Sequence, residues 1–284
     1  MLRARHSPTR SAVVFTVYAI AISWICWLPV VASDHGIGNV AASVSPLLIM
    51  LGTFGPLFAA VTMVARRSGF TGVGQFVGQV FKWRVGIRWY FFALVAPALF
   101  RIAVLYIHVL KGGRFPDLSE PALWLAIPGT FVAVLLIGGP TGEEFGWRGF
   151  LLQRVQPQLG LLPAAFVIGI ISAFWHLPLF FIPTAVQSHL PFALFLVRTI
   201  ALSVISTWMY NGTRRSLLFV LLFHASLNTW PNAFYILEQD WALGPYTSTT
   251  IIYCGWAAQL VILGLLRGRG DRRRQAEAAA TIAA

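Results

Sequence analysis

The stretch TGEEFGWRGFLL, residues 141–152, places Glu143, Glu144 and Arg148 directly after a long apolar run. An ionisable side chain inside a bilayer is energetically costly, so such residues in a hydrophobic segment indicate a function. The apolar run is long enough to cross a membrane, and Gly138-Gly139-Pro140 predicts a kink beyond which the helix continues to about residue 155. This segment therefore predicts a membrane-spanning helix that contains a polar site.

The composition predicts an all-α, polytopic membrane protein. Hydrophobic residues make up 57% of the 284 residues and charged residues 11%, whereas soluble domains contain roughly 25% charged residues. These values exclude an ordinary soluble globule and a disordered chain. The net charge of +12 does not indicate nucleic-acid binding, because the basic residues collect in loops on one side of the predicted membrane. Cys26 and Cys254 lie in apolar runs without the spacing of a metal or redox motif.

Eight segments are long and apolar enough to span a bilayer, which takes about 20 residues per crossing. They lie at about 11–33, 45–65, 88–110, 122–143 or further, 160–182, 190–210, 215–236 and 247–266. The first is too long for the apolar part of a signal peptide, so we expect it to remain as a helix. The sequence predicts a single membrane domain over residues 1–284, with a basic cytoplasmic tail at 267–284.

The distribution of basic residues predicts the orientation. With the N-terminus inside, the inner segments hold 17 of the 21 Lys and Arg residues, while Lys111 and Arg114 lie outside and Arg101 and Arg198 within spans. This asymmetry places both termini in the cytoplasm. The segment 66–87 is too polar to span and predicts a short interfacial helix on the inner face. The Arg-rich and Ala-rich composition is typical of a GC-rich genome, so we expect a bacterial plasma-membrane protein.

A small set of polar residues cannot be assigned to loops. Glu143 and Glu144 belong to a hydrophobic segment, His176 and His224 lie within predicted spans, and Asn228 follows His224 by one helical turn on the same face. The other acidic residues fall in predicted loops or tails: Asp34, Asp117, Glu120, Glu238, Asp240, Asp271 and Glu277.

The depths of these residues can be compared by counting about 1.5 Å per helical residue from the inner end of each helix. Glu143 then lies at roughly 18 Å, His176 at roughly 21–24 Å and His224 at roughly 13 Å, a scatter that helix tilts of about 20° absorb. Taken singly, each has a structural explanation, such as packing for a histidine or an i, i+4 ion pair for Glu144 and Arg148. Together they predict one polar site in the inner half of the bilayer.

Three chemistries could use this set. In peptide hydrolysis, a buried carboxylate deprotonates a water, a neighbour orients that water, and hydrogen-bond donors stabilise the oxyanion. In a zinc site, Glu143, His176 and His224 would be the ligands and a water would complete the coordination. In proton-coupled transport, Glu and His relay protons. The sequence contains neither the HExxH motif of zinc proteases nor a GxSxG nucleophile motif.

The three polar motifs resemble those of the CAAX prenyl endopeptidase and bacteriocin-processing (CPBP, or Abi) family of intramembrane proteases. The Glu-Glu-x-x-x-Arg motif of the family matches Glu143, Glu144 and Arg148, a histidine on the next span matches His176, and His-x-x-x-Asn matches His224 and Asn228. The similarity covers about residues 120–235, which would form the catalytic core. One position departs from the family pattern, because Ser172 stands four residues before His176 where the family often has Phe.

The resemblance implies the role of each residue. Glu143 would be the general base and would act with His176 on the attacking water, while His224 and Asn228 would stabilise the oxyanion. Glu144 and Arg148 would hold the first motif in place. The resemblance also implies an endopeptidase that acts on a membrane-anchored peptide or protein. We expect no required cofactor, because the sequence offers no evident third protein ligand independent of the base, and zinc is an open possibility.

Two other functions remain open from the sequence. The first is a catalytically idle membrane protein with an immunity or scaffold role, because motifs can survive without turnover. The second is a proton-coupled transporter, which predicts discontinuous helices together with internal repeats, and the sequence shows no repeat. The sequence does not identify the substrate or the oligomeric state, and it does not show whether a prenyl group is recognised.

Overall fold

The computed structural model describes residues 8–113, 119, 121–233 and 243–283, and all their regular elements are helical. The α-helices are, in chain order, α1 (Pro8–Asp34), α2 (Ser45–Thr53), α3 (Gly55–Val77), α4 (Ile87–Tyr90), α5 (Ala96–Leu110), α6 (Pro121–Ile137), α7 (Pro140–Glu144), α8 (Gln153–Leu159), α9 (Leu161–Trp175), α10 (Phe192–Gly212), α11 (Leu217–Ala233) and α12 (Leu243–Ala283). Two π-helical segments join neighbouring helices, Phe91–Val95 between α4 and α5 and Phe145–Leu152 between α7 and α8.

The chain is an all-α polytopic membrane protein, but the predicted number of eight spans is not confirmed. In the described residues six helical units are long and apolar enough to cross a membrane: Pro8–Asp34, Ile87–Leu110, Trp124–Leu159, Leu161–Phe181, Phe192–Gly212 and Gly244–Gly264. The helix pair that begins at Ser45 would be a seventh, although it bends by 47°. The apolar part of α11, Leu217–Trp230, is shorter than the roughly 20 residues of a full crossing.

The predicted segments outside the apolar spans are described by the structure only in part. The segment 66–87 is partly helical as expected, because α3 continues past a kink at Gly69, where φ is 63°. The predicted tail continues α12 as far as Ala283. The orientation, with both termini in the cytoplasm, stays a prediction. Some predicted loop residues lie outside the described residues: Arg114, Asp117, Glu120, Glu238 and Asp240.

Two apolar clusters meet at α11. The first is built chiefly by α1, α3, α9 and residues 140–152, and the second by α4, α5, α10 and α12. Helix α11 contributes Leu217, Val220 and Leu221 to the first cluster and Phe219, Phe223 and Leu227 to the second. The first set has the i, i+3, i+4 spacing of one helix face and the second has the i, i+4, i+8 spacing of a neighbouring face, so α11 packs against both clusters.

Two glycines of the stretch at 141–152 allow it to pack against the break between α2 and α3. A Cβ on Gly142 would lie within 2.2 Å of the Thr53 carbonyl oxygen, and a Cβ on Gly146 would lie within 2.4 Å of Pro56 Cβ. Small residues four positions apart permit such close approach of helix backbones in membrane proteins. The segment is consequently buried without interruption from Gly142 to Leu152.

Replacement of Gly146 by valine is expected to destabilise the fold by about 1–3 kcal/mol, because the added side chain overlaps Pro56. Thermal unfolding of the detergent-solubilised protein, followed by tryptophan fluorescence, measures the effect. Gly129→Val is the matched control, since a Cβ on Gly129 of α6 meets nothing within 4 Å. Equal unfolding midpoints for the two variants would contradict the close contact.

Candidate active site

All six residues singled out from the sequence line one cavity of about 450 Å³: Glu143, Glu144, Arg148, His176, His224 and Asn228. Its walls come from α5, α6, α7, α9, α10, α11 and α12, and they include elements of both apolar clusters. Irregular backbone at membrane depth is tolerated where it lines a cavity, which fits the interrupted helices found here. The structure therefore brings together residues that are up to 85 positions apart in the sequence.

The break between α6 and α7 delivers the two glutamates to the cavity. Gly139 adopts a φ of 112°, a left-handed conformation that favours glycine, and α7 begins at the next residue. Thr141 Oγ1 donates a hydrogen bond to the Leu135 carbonyl at 2.6 Å and ties the new helix to the end of α6. The Glu143 carboxylate lies back over the break, since a Cβ on Gly139 would be 3.1 Å from Glu143 Oε1.

Glu144 is held by two neighbours. Arg148 NH1 lies 3.0 Å from both carboxylate oxygens, and His224 Nδ1 lies 2.9 Å from Oε1. Glu144 is 2% exposed and Arg148 6%. Because burial of a lone charge is strongly unfavourable, each of these groups depends on the other for its place in the structure. Glu144 thus connects the stretch at 141–152 to α11.

Glu143 differs from Glu144 because its carboxylate has no hydrogen-bond or ion-pair partner among the described residues, although Glu143 too is buried, at 8% exposed. It faces the cavity and is close enough to His176 and His224 to interact with both electrostatically. Of the two adjacent carboxylates, one is therefore fixed by the protein and the other is free to act on a molecule in the cavity.

His176 lies directly after the end of α9 but within the helical unit Leu161–Phe181, which is apolar enough to cross a membrane as predicted for the segment 160–182. Helix α9 ends at Trp175, and a 3₁₀ turn, Leu177–Phe181, follows. The physical reason is Pro178, because the residue before a proline avoids the α conformation and proline has no N–H for the helix. The His176 Nδ1 lies 2.7 Å from the Ser172 carbonyl oxygen.

Two aromatic rings contact the imidazole of His176. The Trp175 ring centroid lies 4.5 Å from it and the Phe195 ring centroid 5.1 Å. Trp175 is itself fixed, because its Nε1 donates to Ser23 Oγ at 2.7 Å and its carbonyl accepts from Trp24 Nε1 at 3.0 Å. Helix α1 therefore helps to position the histidine, although the sequence motifs begin only at residue 143.

His224 and Asn228 lie on the face of α11 that turns towards the first apolar cluster. They continue the series Leu217, Val220 and Leu221 at helical spacing. This face brings the His224 ring to Glu144, and Asn228 lines the same cavity one turn further on. Asn228 has no hydrogen-bond partner among the described residues.

The positions of the possible ligand atoms can be compared with those that a zinc site requires. Among the described residues no three His, Cys, Asp or Glu side chains converge closely enough to hold a metal ion. Two of the four imidazole nitrogens of His176 and His224 are already engaged, one by a backbone carbonyl and one by Glu144. In both histidines the engaged atom is Nδ1, which leaves Nε2 of each as an electron-pair donor, and no chemical step is assigned to a metal here.

Sequence reasoning missed several residues that line the cavity or hold the site. Phe195, which contacts His176, carries no distinctive sequence signal, and Ser172 was noted only as a departure from the family pattern, not for the carbonyl that contacts His176. Arg101 and Arg198, in contrast, also line the cavity, and an arginine within a membrane span is itself a signal of function.

These features define a multi-pass membrane protein with a Glu, His and Asn site in an interior cavity. Residues 122–230 match the family model described as type II CAAX prenyl endopeptidase Rce1-like. The chain is also similar to CAAX prenyl protease 2 of Methanococcus maripaludis, with 26% identity over 195 residues that cover 64% of this chain and 70% of that protein. The resemblance to the CPBP family of proteases is confirmed.

Proposed function

We propose that the protein is an intramembrane endopeptidase of the CAAX protease type, which hydrolyses a peptide bond of a membrane-anchored protein or peptide. The observation that carries this proposal is the free carboxylate of Glu143, which faces the cavity beside His176 while Glu144 is held by Arg148 and His224. The family match and the protease name of the relative support the reaction class.

The protonation of His176 follows from its hydrogen bond. A carbonyl oxygen only accepts, so the contact with the Ser172 carbonyl requires the proton on Nδ1 and leaves a lone pair on Nε2 in the neutral ring. Glu143 and His176 then present two acceptors to a water molecule in the cavity. The water donates one O–H to each of them, which directs its lone pair at the substrate carbonyl.

His224, unlike the neutral His176, is expected to carry a proton on both ring nitrogens. Its Nδ1 lies next to the Glu144 carboxylate, which only accepts, so Nδ1 carries a proton. For Nε2 to donate as well, the ring must be an imidazolium, and the Glu144 carboxylate beside it favours that charged form. We propose that Nε2–H of His224 and the side-chain N–H of Asn228 stabilise the oxyanion of the tetrahedral intermediate.

The proposed reaction balances without further reactants. Glu143 takes a proton from water as the water oxygen bonds to the carbonyl carbon, and the carbonyl oxygen becomes the oxyanion. The intermediate then collapses, the C–N bond breaks, and the protonated Glu143 gives its proton to the leaving nitrogen. The products are a carboxylic acid and an amine, and Glu143 is again a carboxylate.

Proton-coupled transport is the second function that a feature of the fold suggests. The chain has interrupted helices at α2–α3 and α6–α7, and such discontinuities are typical of transporters. They occur equally where irregular backbone lines any polar cavity in a membrane protein. The match to an endopeptidase family favours hydrolysis over transport.

The proposed activity can be tested without knowing the substrate. Native-host membranes that contain wild-type protein or Glu143→Gln are compared by mass spectrometry of protein termini. New termini seen with wild type and absent with Glu143→Gln are expected, and they identify the substrate at the same time. An excess of a metal chelator is expected to leave these termini unchanged, since the proposed mechanism needs no metal.

Asp34→Asn is the matched control, because it also removes one carboxylate but lies at the exposed end of α1. It should give the same termini as wild type. Identical termini in wild-type and Glu143→Gln membranes would overturn the proposal and favour an immunity or scaffold role. Loss of cleavage with chelator, restored by added zinc, would overturn the metal-free mechanism alone.

A further inference from the structure

A second cavity, of about 190 Å³, lies between α8 and α10 and shares no lining residue with the candidate active site. The polar part of its wall consists of Gln153, Gln156, Tyr210, Asn211 and Arg215. Among the described residues no carboxylate lines this cavity, so the formal charge in its wall is that of the Arg215 guanidinium. The proposed mechanism of peptide hydrolysis uses none of these side chains.

Hydrogen bonds hold the amide groups of this wall in place. Gln156 and Asn211 exchange two hydrogen bonds, of 3.1 and 3.0 Å, which join α8 to α10. The Tyr210 hydroxyl accepts from Gln153 Nε2 at 2.8 Å and is itself a donor to the neighbouring amide oxygen of Gln79. One N–H of Gln156 and the N–H groups of the Arg215 guanidinium remain available. A fixed wall with N–H donors, a cation and no acid is suited to an anion.

The turn that presents Arg215 to the cavity has a strained backbone. Arg214 and Arg215, both exposed, have φ values of 57° and 60°, in the left-handed region that favours glycine. Hydrogen bonds fix this turn, because the Arg215 N–H donates to the Tyr210 carbonyl at 2.9 Å and Thr213 Oγ1 donates to the Met209 carbonyl at 2.8 Å. Such strain persists where the surrounding structure enforces it, and it is concentrated at ligand-binding sites.

The cavity lies at the level of the lipid headgroups. Gly212, at the end of α10, packs so closely on Trp89 that a Cβ there would overlap the indole ring. The guanidinium carbon of Arg88 lies over the same ring, 5.3 Å from its centroid. Tryptophan together with arginine is typical of the boundary between the hydrocarbon core and the headgroups. Leu159, at the end of α8, is 47% exposed, as expected of a side chain that contacts acyl chains.

We propose that the cavity between α8 and α10 binds the phosphate of an anionic phospholipid headgroup, with Arg215 as its cationic contact. Basic pockets between helices at a membrane surface bind such headgroups, because the phosphate oxygens accept hydrogen bonds from a guanidinium and from amides. The cavity also borders the stretch that carries the two glutamates, since Gln153 follows that stretch directly and donates to the Gly149 carbonyl at 2.7 Å. A bound headgroup therefore stabilises this segment in the folded protein.

The test measures thermal unfolding of the purified full-length protein in maltoside micelles by tryptophan fluorescence. The micelles contain increasing mole fractions of phosphatidylglycerol, which is anionic, or of phosphatidylcholine with the same acyl chains, which is neutral overall. A ligand that binds only the folded state raises the unfolding midpoint, by about 5–10 °C at a hundredfold excess over Kd for a protein of this size. We expect a saturable rise with phosphatidylglycerol and none with phosphatidylcholine. Equal rises with both lipids would overturn the proposal, because the charge of the headgroup would then not be recognised.

Three variants separate this site from general surface charge and from a damaged fold. Arg215→Gln should abolish the difference between the two lipids, whereas Arg66→Gln, which removes an exposed arginine outside the cavity, should keep it. Arg215→Gly removes the guanidinium and also relieves the left-handed strain. It should therefore lose the lipid response while unfolding no earlier than wild type in phosphatidylcholine. A response to phosphatidylglycerol that persists in both Arg215 variants would overturn the proposal.

A soluble phosphate ester has the same anionic group as a phospholipid and provides the last comparison. Glycerol 3-phosphate is added at millimolar concentration to micelles that contain no phospholipid. We expect no rise in the unfolding midpoint, because the soluble ester lacks the acyl chains that concentrate a lipid beside the cavity. A saturable rise that is lost in Arg215→Gln would overturn the assignment to a lipid and indicate a soluble phosphate ester. None of these measurements depends on turnover, so they stand or fall separately from the proposed peptidase function.

Discussion

Replacement of Glu143 by glutamine is expected to lower the rate of peptide cleavage by about 10²–10⁴-fold. The amide keeps the shape of the side chain but cannot take the proton of the attacking water. Because Glu143 has no hydrogen-bond or ion-pair partner among the described residues, the loss of its charge should leave the fold unchanged. The rate is measured with a reporter peptide derived from the termini found in native membranes, and folding by thermal unfolding of the same preparation.

The same substitution at the neighbouring residue, Glu144, provides a control for this prediction. Glu144→Gln removes a charge that Arg148 and His224 both contact, so it should lower stability as well as activity. The two isosteric changes therefore differ in one measurable respect, the unfolding midpoint. Full activity of Glu143→Gln would show that another group activates the water. A large loss of stability in that variant would show that Glu143 is a structural residue.

Replacement of Arg148 by alanine is expected to destabilise the protein by about 3–5 kcal/mol, which would greatly reduce the folded yield. The change leaves the Glu144 carboxylate, 2% exposed, without its cationic partner in a low-dielectric interior. It also removes the group that fixes Glu144 against His224. The yield of monodisperse protein after detergent extraction and the unfolding midpoint measure the effect.

Two further variants test whether the loss of stability in Arg148→Ala comes from the lost charge or from the lost volume of the side chain. Arg66→Ala removes an exposed arginine from α3 and should be neutral. The double variant Glu144→Gln with Arg148→Met removes both charges at similar volume, and it should recover most of the stability because no buried charge remains alone. Recovery of stability without recovery of activity would separate the structural role of the pair from its effect on His224. A stable, active Arg148→Ala protein would show that the pair is incidental.

The apolar segments of the sequence predicted where the helices lie but not where they are interrupted. Each of the eight predicted segments contains a described helix, since about 20 apolar residues have few alternatives in a bilayer. The break at Phe54-Gly55-Pro56 was not predicted, although Pro56 starts a helix there and a 47° bend results. Whether a proline in an apolar run ends a helix or only kinks it depends on neighbouring helices, which single-sequence reasoning does not contain.

The candidate site was predictable as a set of residues because polar groups are rare in membrane spans. Only a few residues combined burial in an apolar segment with an ionisable side chain, and all six that were singled out line one cavity. The depth of His176 was counted from the inner end of its segment, where α9 begins at Leu161, but the sequence did not predict that α9 ends at Trp175, directly before the histidine. Arg198 was visible as an intramembrane arginine, but its relation to the cavity depends on the packing of α10 against α12.

The amino-acid sequence was sufficient to predict the class of structure, an all-α membrane protein, and to identify the polar residues that must be accommodated within it. Both follow from local physics, the length of apolar runs and the unfavourable transfer of charge into lipid. The i, i+4 spacing had already indicated that Arg148 pairs with Glu144 rather than with Glu143. The contact of Glu144 with a histidine from α11, 80 residues away, and the exposure of Glu143 to the cavity depend on how the helices pack, which local sequence does not specify.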